Sequence, residues 1–288
     1  MPNPSADPAG QPAVSVVLPC YRSAGLARRS AGALERYLGA AFDSFEVVVV
    51  DDGGGDFDGS WPVPEEGPVR LIRLPANRGK GAAVRAGMLA SRGRVRVFTD
   101  VDLPYDLELI AASVRYVEER GFHLTVGDRT LPGSSYALEV GWRRRLASAV
   151  FSQLVGTFLT GGFFDTQCGF KAFRADVAEA LFGMARIDRF AFDVELLYLA
   201  LLYRADIKRI PVRLRNNETS AVRLLRDSLG MLLDVARIRL LAWRGAYRCP
   251  ELAAIVAGDF AAVAAGATGA AEAAGAAGRR LRGQRTGN

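Results

Sequence analysis

One histidine and three cysteines are all the imidazole and thiol groups in 288 residues. Cys20, Cys168 and Cys249 are odd in number and lie far apart, with no metal-ligand spacing. Neither a disulfide framework nor a zinc site is indicated, and a reducing cytoplasm fits. The lone His123 sits in a strand-like run and reads as a core residue rather than a catalyst, so a divalent cation would be ligated by oxygen alone. MPNPSADPAGQPA has neither a basic nor an apolar region, so residues 1–13 read as a disordered lead-in and no signal peptide is expected. No nucleic-acid-binding motif is present, and the aromatic residues lack the arrangement of a stacking platform, so no nucleic acid is expected as partner.

What is present is the composition of a folded protein, 50% hydrophobic and 24% charged, too apolar for disorder. A net charge of +6 implies attraction to something anionic: nucleic acid, a phosphate-bearing substrate or an acidic membrane surface. Leu146 to Phe164 carries no charge and follows Arg143, Arg144 and Arg145. Its length reaches that of a membrane span. However, its two Ser, one Gln, two Thr and three Gly weaken transfer into lipid, so the reading is a buried or interfacial helix.

Short β-branched runs at Val14–Leu18 and Phe45–Val50 predict strands buried on both faces of a parallel sheet. Ala24–Ala41 between them predicts a helix, Val69–Leu74 a third strand, Gly79–Ser91 a helix and Val95–Thr99 a fourth strand. This βαβαβ alternation predicts an α/β fold with right-handed crossovers. Further on, His123–Val126 and Ile207–Leu214 read as strands, and Val177–Phe182 and Phe192–Tyr203 as helices. Val222–Trp243 reads as an amphipathic helix carrying Arg223, Arg226, Arg237 and Arg239. From residue 246 to 288 the chain reads as an Ala/Gly/Arg tail of low complexity.

In such sheets ligands bind beyond the carboxyl ends of the strands, where the acidic and glycine-rich residues fall. Asp100-Val101-Asp102 follows a buried strand, and both carboxylates can reach a hard cation that completes its shell with substrate phosphate. Asp51, Asp52 and Gly53 follow another strand; glycine lets the backbone approach a ligand, and a carboxylate can bond a ribose or base edge. Asn77-Arg78-Gly79-Lys80-Gly81 suits a diphosphate at a helix N-terminus. Taken singly, each motif is equally an acidic turn or a helix cap. Together they favour a site for a nucleoside diphosphate.

The ordered set P-x-Y, VDDG, N-x-GKG, D-x-D and DTQCGFK resembles the family 2 glycosyltransferases. Within them it is most similar to the dolichol-phosphate mannose synthase and polyprenyl-phosphate glucosyltransferase group, from about Val14 to Arg239. The resemblance implies a single Rossmann-like domain of GT-A type over residues 14–245, with a mostly parallel sheet and helices on both faces. Residues 14–105 would be its nucleotide-binding half and 106–245 its acceptor half. It further implies that Pro19 and Tyr21 line the base pocket, that Asp51 binds the base, and that Asp52 lies near the ribose, with Lys80 beside the nucleotide. Asp100 and Asp102 would hold Mg²⁺ or Mn²⁺. Arg129, Gln167 and Lys171 would belong to the reacting and acceptor side, with Asp193 and Glu195 an acidic pair near sugar and acceptor. Two departures stand out: Arg22 and Ser23 replace the family's Asn-Glu, and Ser220-Ala221 lacks the usual Lys, a charge Arg223 would supply.

The implied activity is inverting transfer of a hexose from a UDP-glucose or GDP-mannose type donor to a polyprenyl phosphate. An ionised phosphate acceptor requires no strong base, whereas a hydroxyl acceptor would use Asp193. Cytoplasmic residence, peripheral at the inner face of an anionic membrane, follows from that acceptor. A separate membrane-anchoring protein is compatible as a partner. Two other readings stay open: the same donor with a soluble acceptor, and a non-catalytic nucleotide-sugar-binding protein.

Overall fold

Neighbouring valines of one strand face opposite ways, and this sorts the molecule into two cores. In the computed structural model, which describes residues 10–57, 61, 67–135, 165–214, 224–261 and isolated positions between 153 and 162, β2 runs from Phe45 to Asp51. Its Val47 and Val49 pack into one hydrophobic cluster, its Val48 and Val50 into another. A strand buried on both faces reads as a continuous apolar run because neither side meets water.

The remaining elements are β1 (Val14–Cys20), α1 (Ala24–Ala41), β3 (Val69–Arg73), α2 (Lys80–Ala90), β4 (Val95–Phe98), α3 (Glu108–Glu118) and β5 (Leu124–Asp128). They are followed by β6 (Lys171–Arg174), α4 (Ala175–Met184), α5 (Phe192–Leu202), β7 (Ile207–Pro211), α6 (Leu224–Trp243) and α7 (residues 250–261). The seven strands lie in the order β3-β2-β1-β4-β6-β5-β7. All neighbours pair parallel except β6, which runs antiparallel to β4 and β5. Helices α1 and α3 cover one face through residues such as Leu34, Leu38, Ile110 and Val114. Helices α2, α4 and α5 cover the other through Met88, Phe182 and Leu197. The expected α/β architecture with helices on both faces is therefore the observed one.

Three elements were not anticipated. α3 follows the D-x-D turn and buries Leu109, Ile110, Val114 and Val117. β6 is four residues long and opens with a fully buried Lys171, which no apolar pattern signals. α7 lies inside the expected tail, and this moves the boundary drawn at residue 245. Tyr247, Leu252 and Val256 join the core, and Asp259 meets His123 Nε2 at 3.0 Å and Arg174 at 2.7 Å. Alanine and glycine look like low complexity, but Leu252, Ile255 and Val256 on one helical face, with Tyr247 ahead of it, dock this segment. His123 is fully buried and its Nδ1 accepts from the Asp206 amide, as a core position requires. The expected helix over Leu146–Phe164 lies almost wholly outside the described residues, as do Ser220, Arg223 and residues 262–288. Among the described residues no helix is long and apolar enough to cross a membrane.

Candidate functional site

Because β1, β2 and β4 run parallel, their carboxyl ends open on one edge of the sheet, and Cys20 lies beside Asp51 in the register. The antiparallel β6 contributes its beginning to that edge, with Lys171 opposite Phe98. Four charged side chains therefore converge: Asp100 just beyond β4, Lys171 at the start of β6, Lys80 at the first position of α2 and Asp193 in the first turn of α5.

Lys80 Nζ lies 2.5 Å from Asp100 Oδ1, both partly exposed, with side chains 22% and 35% accessible. Burial works against the Lys80 charge, but Asp100, Asp193 and Asp102 outweigh it and raise its pKa. The other Asp100 oxygen is wedged against Gly169, where an added methyl group would overlap it. Deeper in, Lys171 Nζ donates to Asp193 Oδ1 at 2.5 Å and to the carbonyls of Cys168 and Thr166. Burial raises the Asp193 pKa, and Lys171 and Lys80 only partly counteract it. Asp102, whose charge also reaches Lys80, borders a hollow of about 300 Å³ against α1, with Leu26, Arg29, Ser30, Ala33, Leu103 and Leu107.

Among the described residues no group of three or more His, Cys, Asp and Glu is placed to hold a metal. A cation here would take its protein ligands from Asp100 and Asp102 and complete its shell from water and substrate. This donor set fits Mg²⁺ or Mn²⁺. The glycine cradle that fixes one Asp100 oxygen is the structural feature that fits such a role.

The VDDG turn is where expected, but its carboxylates are used locally. Asp51 is buried and accepts from the Gly54 amide at 2.7 Å and the Gly55 amide at 3.4 Å, bonds that shape the turn. Asp52 is likewise buried, and its two oxygens accept from the Arg78 and Gly79 amides, both at 2.8 Å. It ties this turn to the glycine-rich turn ahead of α2. Gly53 has φ +69°, and a side chain there would overlap the backbone of Ala76. At the α2 N-terminus the Ala82 amide is taken by Asp188 O, and Gly81 lets Phe192 and the carbonyl of Ile187 approach closely. The N-x-GKG motif thus serves packing, and Lys80 is the member that faces the charged cluster. Pro19 is part of buried β1, and Tyr21 follows it at the rim, with Arg22 stacked over its ring at 5.1 Å.

On the acceptor side, Arg129 and Asp165 form a tight pair. Asp165 receives the Arg129 amide at 2.7 Å, Nε at 2.9 Å and a terminal nitrogen at 2.5 Å. Burial works against the charge of Arg129, but Asp165 more than offsets it and raises the pKa well beyond the ordinary arginine value. Gln167 is half-buried and reaches the Met231 sulfur of α6 at 3.7 Å. Two residues expected at the site are buried and bonded within the protein. Lys171 is fully buried and serves Asp193 rather than an acceptor. Glu195 is also fully buried; it accepts from the Arg186 and Ile187 amides and from the Tyr247 hydroxyl, anchoring the 185–187 loop and the segment before α7. Its neighbour Asp193 is one of the cluster, but two residues along a helix turn by about 200°, so the pair cannot face one site.

Sequence reasoning missed Asp165, which holds Arg129, and Gly169, which cradles Asp100. Both belong to DTQCGFK, yet only their placement beside β4 by an antiparallel strand shows what they touch. Asp188 was also missed; it accepts from Arg78 at 2.9 Å and Arg85 at 2.5 Å and positions the loop over the α2 N-terminus.

Residues 15–182 match the family profile described as Glycosyl transferase family 2. A dolichyl-phosphate beta-glucosyltransferase from Dictyostelium discoideum is 32% identical over 205 residues, 68% of this chain and 63% of that protein, just under two thirds of its length. The enzyme of the same name from Drosophila melanogaster is 32% identical over 264 residues, 86% of this chain and 81% of that protein. In fold, the chain is similar to glucosyl-3-phosphoglycerate synthase from Mycobacterium tuberculosis, crystallised with Mn²⁺, UDP-glucose and phosphoglyceric acid. The TM-score is 0.54 at 18% identity, over 81% of this chain and 80% of that one.

Proposed function

Because the chain belongs to glycosyl transferase family 2, we propose that it moves glucose from UDP-glucose to a polyprenyl phosphate, with a divalent cation, Mg²⁺ or Mn²⁺, held by Asp100 and Asp102. The observation that carries this reading is the meeting of Asp100 and Lys80 at the open strand edge, with Asp102 two residues on. The relatives' names favour glucose over mannose and a lipid phosphate over a soluble acceptor. When bound, the cation would neutralise charge developing on the departing nucleoside diphosphate. Lys80 offers the diphosphate a second positive charge. Arg129, kept in place and charged by Asp165, attracts the acceptor phosphate. Asp193, immobilised by Lys171, lies beside Lys80 and Asp100 to orient the sugar. A phosphate acceptor is already ionised near neutral pH, so no residue has to remove a proton from it.

The test is purified protein with Mn²⁺, radiolabelled UDP-glucose or GDP-mannose, and a short polyprenyl phosphate. The expected result is label in the organic extract from UDP-glucose only. Label confined to water-soluble products would move the acceptor to the soluble class.

Such an acceptor presents its head group at a bilayer, and α6 carries a face suited to the inner leaflet of an anionic membrane. Leu233, Ala236, Leu240 and Trp243 fall within one narrow arc of the helix and are exposed, Trp243 at 84% and Leu233 at 65%. Arg237, Arg239 and Arg244 flank them, while Ile238 faces the core. An apolar stripe bordered by cations binds an anionic leaflet reversibly, each cation contributing about 1 kcal/mol. The protein should sediment with anionic liposomes at low salt and be released at high salt. Replacing Leu233, Leu240 and Trp243 by Ser should abolish sedimentation, and persistence of binding would exclude this face.

A further inference from the structure

Lys80 occupies a place where two kinds of cation would compete. Its ammonium rests on Asp100 Oδ1 and lies in the field of Asp193 and Asp102 as well. Within this cluster three carboxylates face two ammonium groups, and the second ammonium, Lys171, is fully buried and committed to Asp193. Lys80 alone has a partly exposed side chain and a long flexible stem. Its backbone, by contrast, is fixed: the Gly79 amide donates to Asp52, and Gly79, at φ +104°, has no room for a side chain against Asp188 O. The carboxylate it holds lies close against Gly169, where a side chain would overlap it. The Lys80 side chain, partly exposed and long, is free to swing between partners.

We propose that Lys80 is an internal counter-ion for Asp100 that a divalent cation displaces, and that the displaced ammonium then binds the diphosphate of the donor. This rests on the metal-assisted transfer proposed above. An ammonium is a compact point charge with three rotatable donors, equally able to pair with a carboxylate or a phosphate. A divalent cation drawing on Asp100 would compete with Lys80 for the same carboxylate, so metal binding alone should weaken the 2.5 Å pair. With diphosphate present, the ammonium exchanges one anionic partner for another. Metal and donor then bind cooperatively, and each tightens the other by the same factor.

The test is Mn²⁺ binding, followed by the electron paramagnetic resonance signal of free Mn²⁺, to wild type, Lys80→Met and Lys80→Arg, each with and without UDP. Without UDP, Lys80→Met should bind Mn²⁺ about fivefold more tightly, the equivalent of one partly exposed ion pair of about 1 kcal/mol. UDP should then improve Mn²⁺ affinity much less in Lys80→Met than in wild type. Lys80→Arg should keep the weaker affinity of wild type, separating loss of the charge from damage to the fold. Equal Mn²⁺ affinity in Lys80→Met and wild type, or an undiminished effect of UDP, overturns the exchange while leaving metal-assisted transfer intact. Absence of Mn²⁺ binding to every protein, even with UDP, overturns both.

Discussion

At the amino end of β2, Glu46 receives Ser15 Oγ at 2.6 Å, the Arg92 amide at 2.5 Å and two nitrogens of Arg70 at 2.9 and 3.1 Å. At the carboxyl end of β4, Asp100 has one ammonium on one oxygen and a bare glycine behind the other. Glu46 is only 2% accessible; burial alone would raise its pKa, but the donors around it prevail and lower it. The same sheet thus holds one saturated carboxylate and one that is partly open. A fully bonded carboxylate is a structural fastener, because any ligand would have to displace several good bonds. A carboxylate with a single, partly exposed, movable cation can change partners. The lesson is that chemistry sits where charge is under-satisfied yet rigidly placed.

The largest effect should come from the buried pair that supports the open end. Lys171→Met leaves Asp193 buried without its counter-charge and should cost about 3–5 kcal/mol in urea unfolding. The double replacement Lys171→Met with Asp193→Leu should recover most of that stability while transfer stays lost. A single mutant within about 1 kcal/mol of wild type would deny the pair its structural role.

At the saturated end, Glu46→Gln should cost about 1.5–3 kcal/mol by weakening hydrogen bonds to a charged acceptor, with transfer by the folded protein unchanged. Because the folded pKa of Glu46 lies below its unfolded value of 4.5, its contribution is present above that pH and is lost as pH falls through the folded value. The mutant's stability deficit should therefore shrink on acidification. A deficit independent of pH would remove ionisation from the explanation.

The smallest effect sharpens the contrast at the rim. Arg22 has φ +50°, a left-handed conformation that asparagine, the usual residue of the resembling family at this place, adopts more readily. Arg22→Asn should gain about 0.5–1 kcal/mol in thermal unfolding. A loss instead would mean that the stacking of Arg22 on Tyr21 outweighs the backbone strain.

How much of this was legible in the sequence follows from range. β1, β2, β4 and the helices between them are local patterns, and their strand ends placed Asp51, Asp52, Asp100 and Asp102 together without knowledge of packing. What no local pattern carries is pairing across the chain. β6 is short, begins with a buried lysine and pairs antiparallel, so Lys171 and Gly169 could not be set beside Asp193 and Asp100 from spacing. Glu195 was assigned to the site through the family resemblance, as one of an acidic pair with Asp193, although helical geometry turns it away to Tyr247. The docked α7 was hidden by its own composition.

The most direct measurement is transfer of label from UDP-glucose to a polyprenyl phosphate, with melting temperature recorded on the same preparations of wild type, Asp100→Ala, Asp102→Ala and Glu46→Gln. The account predicts a fall of about 10²–10³ in rate for the two aspartate mutants with little change in melting, and the converse for Glu46→Gln. Near-normal transfer by either aspartate mutant, or by wild type in excess chelator, would contradict it.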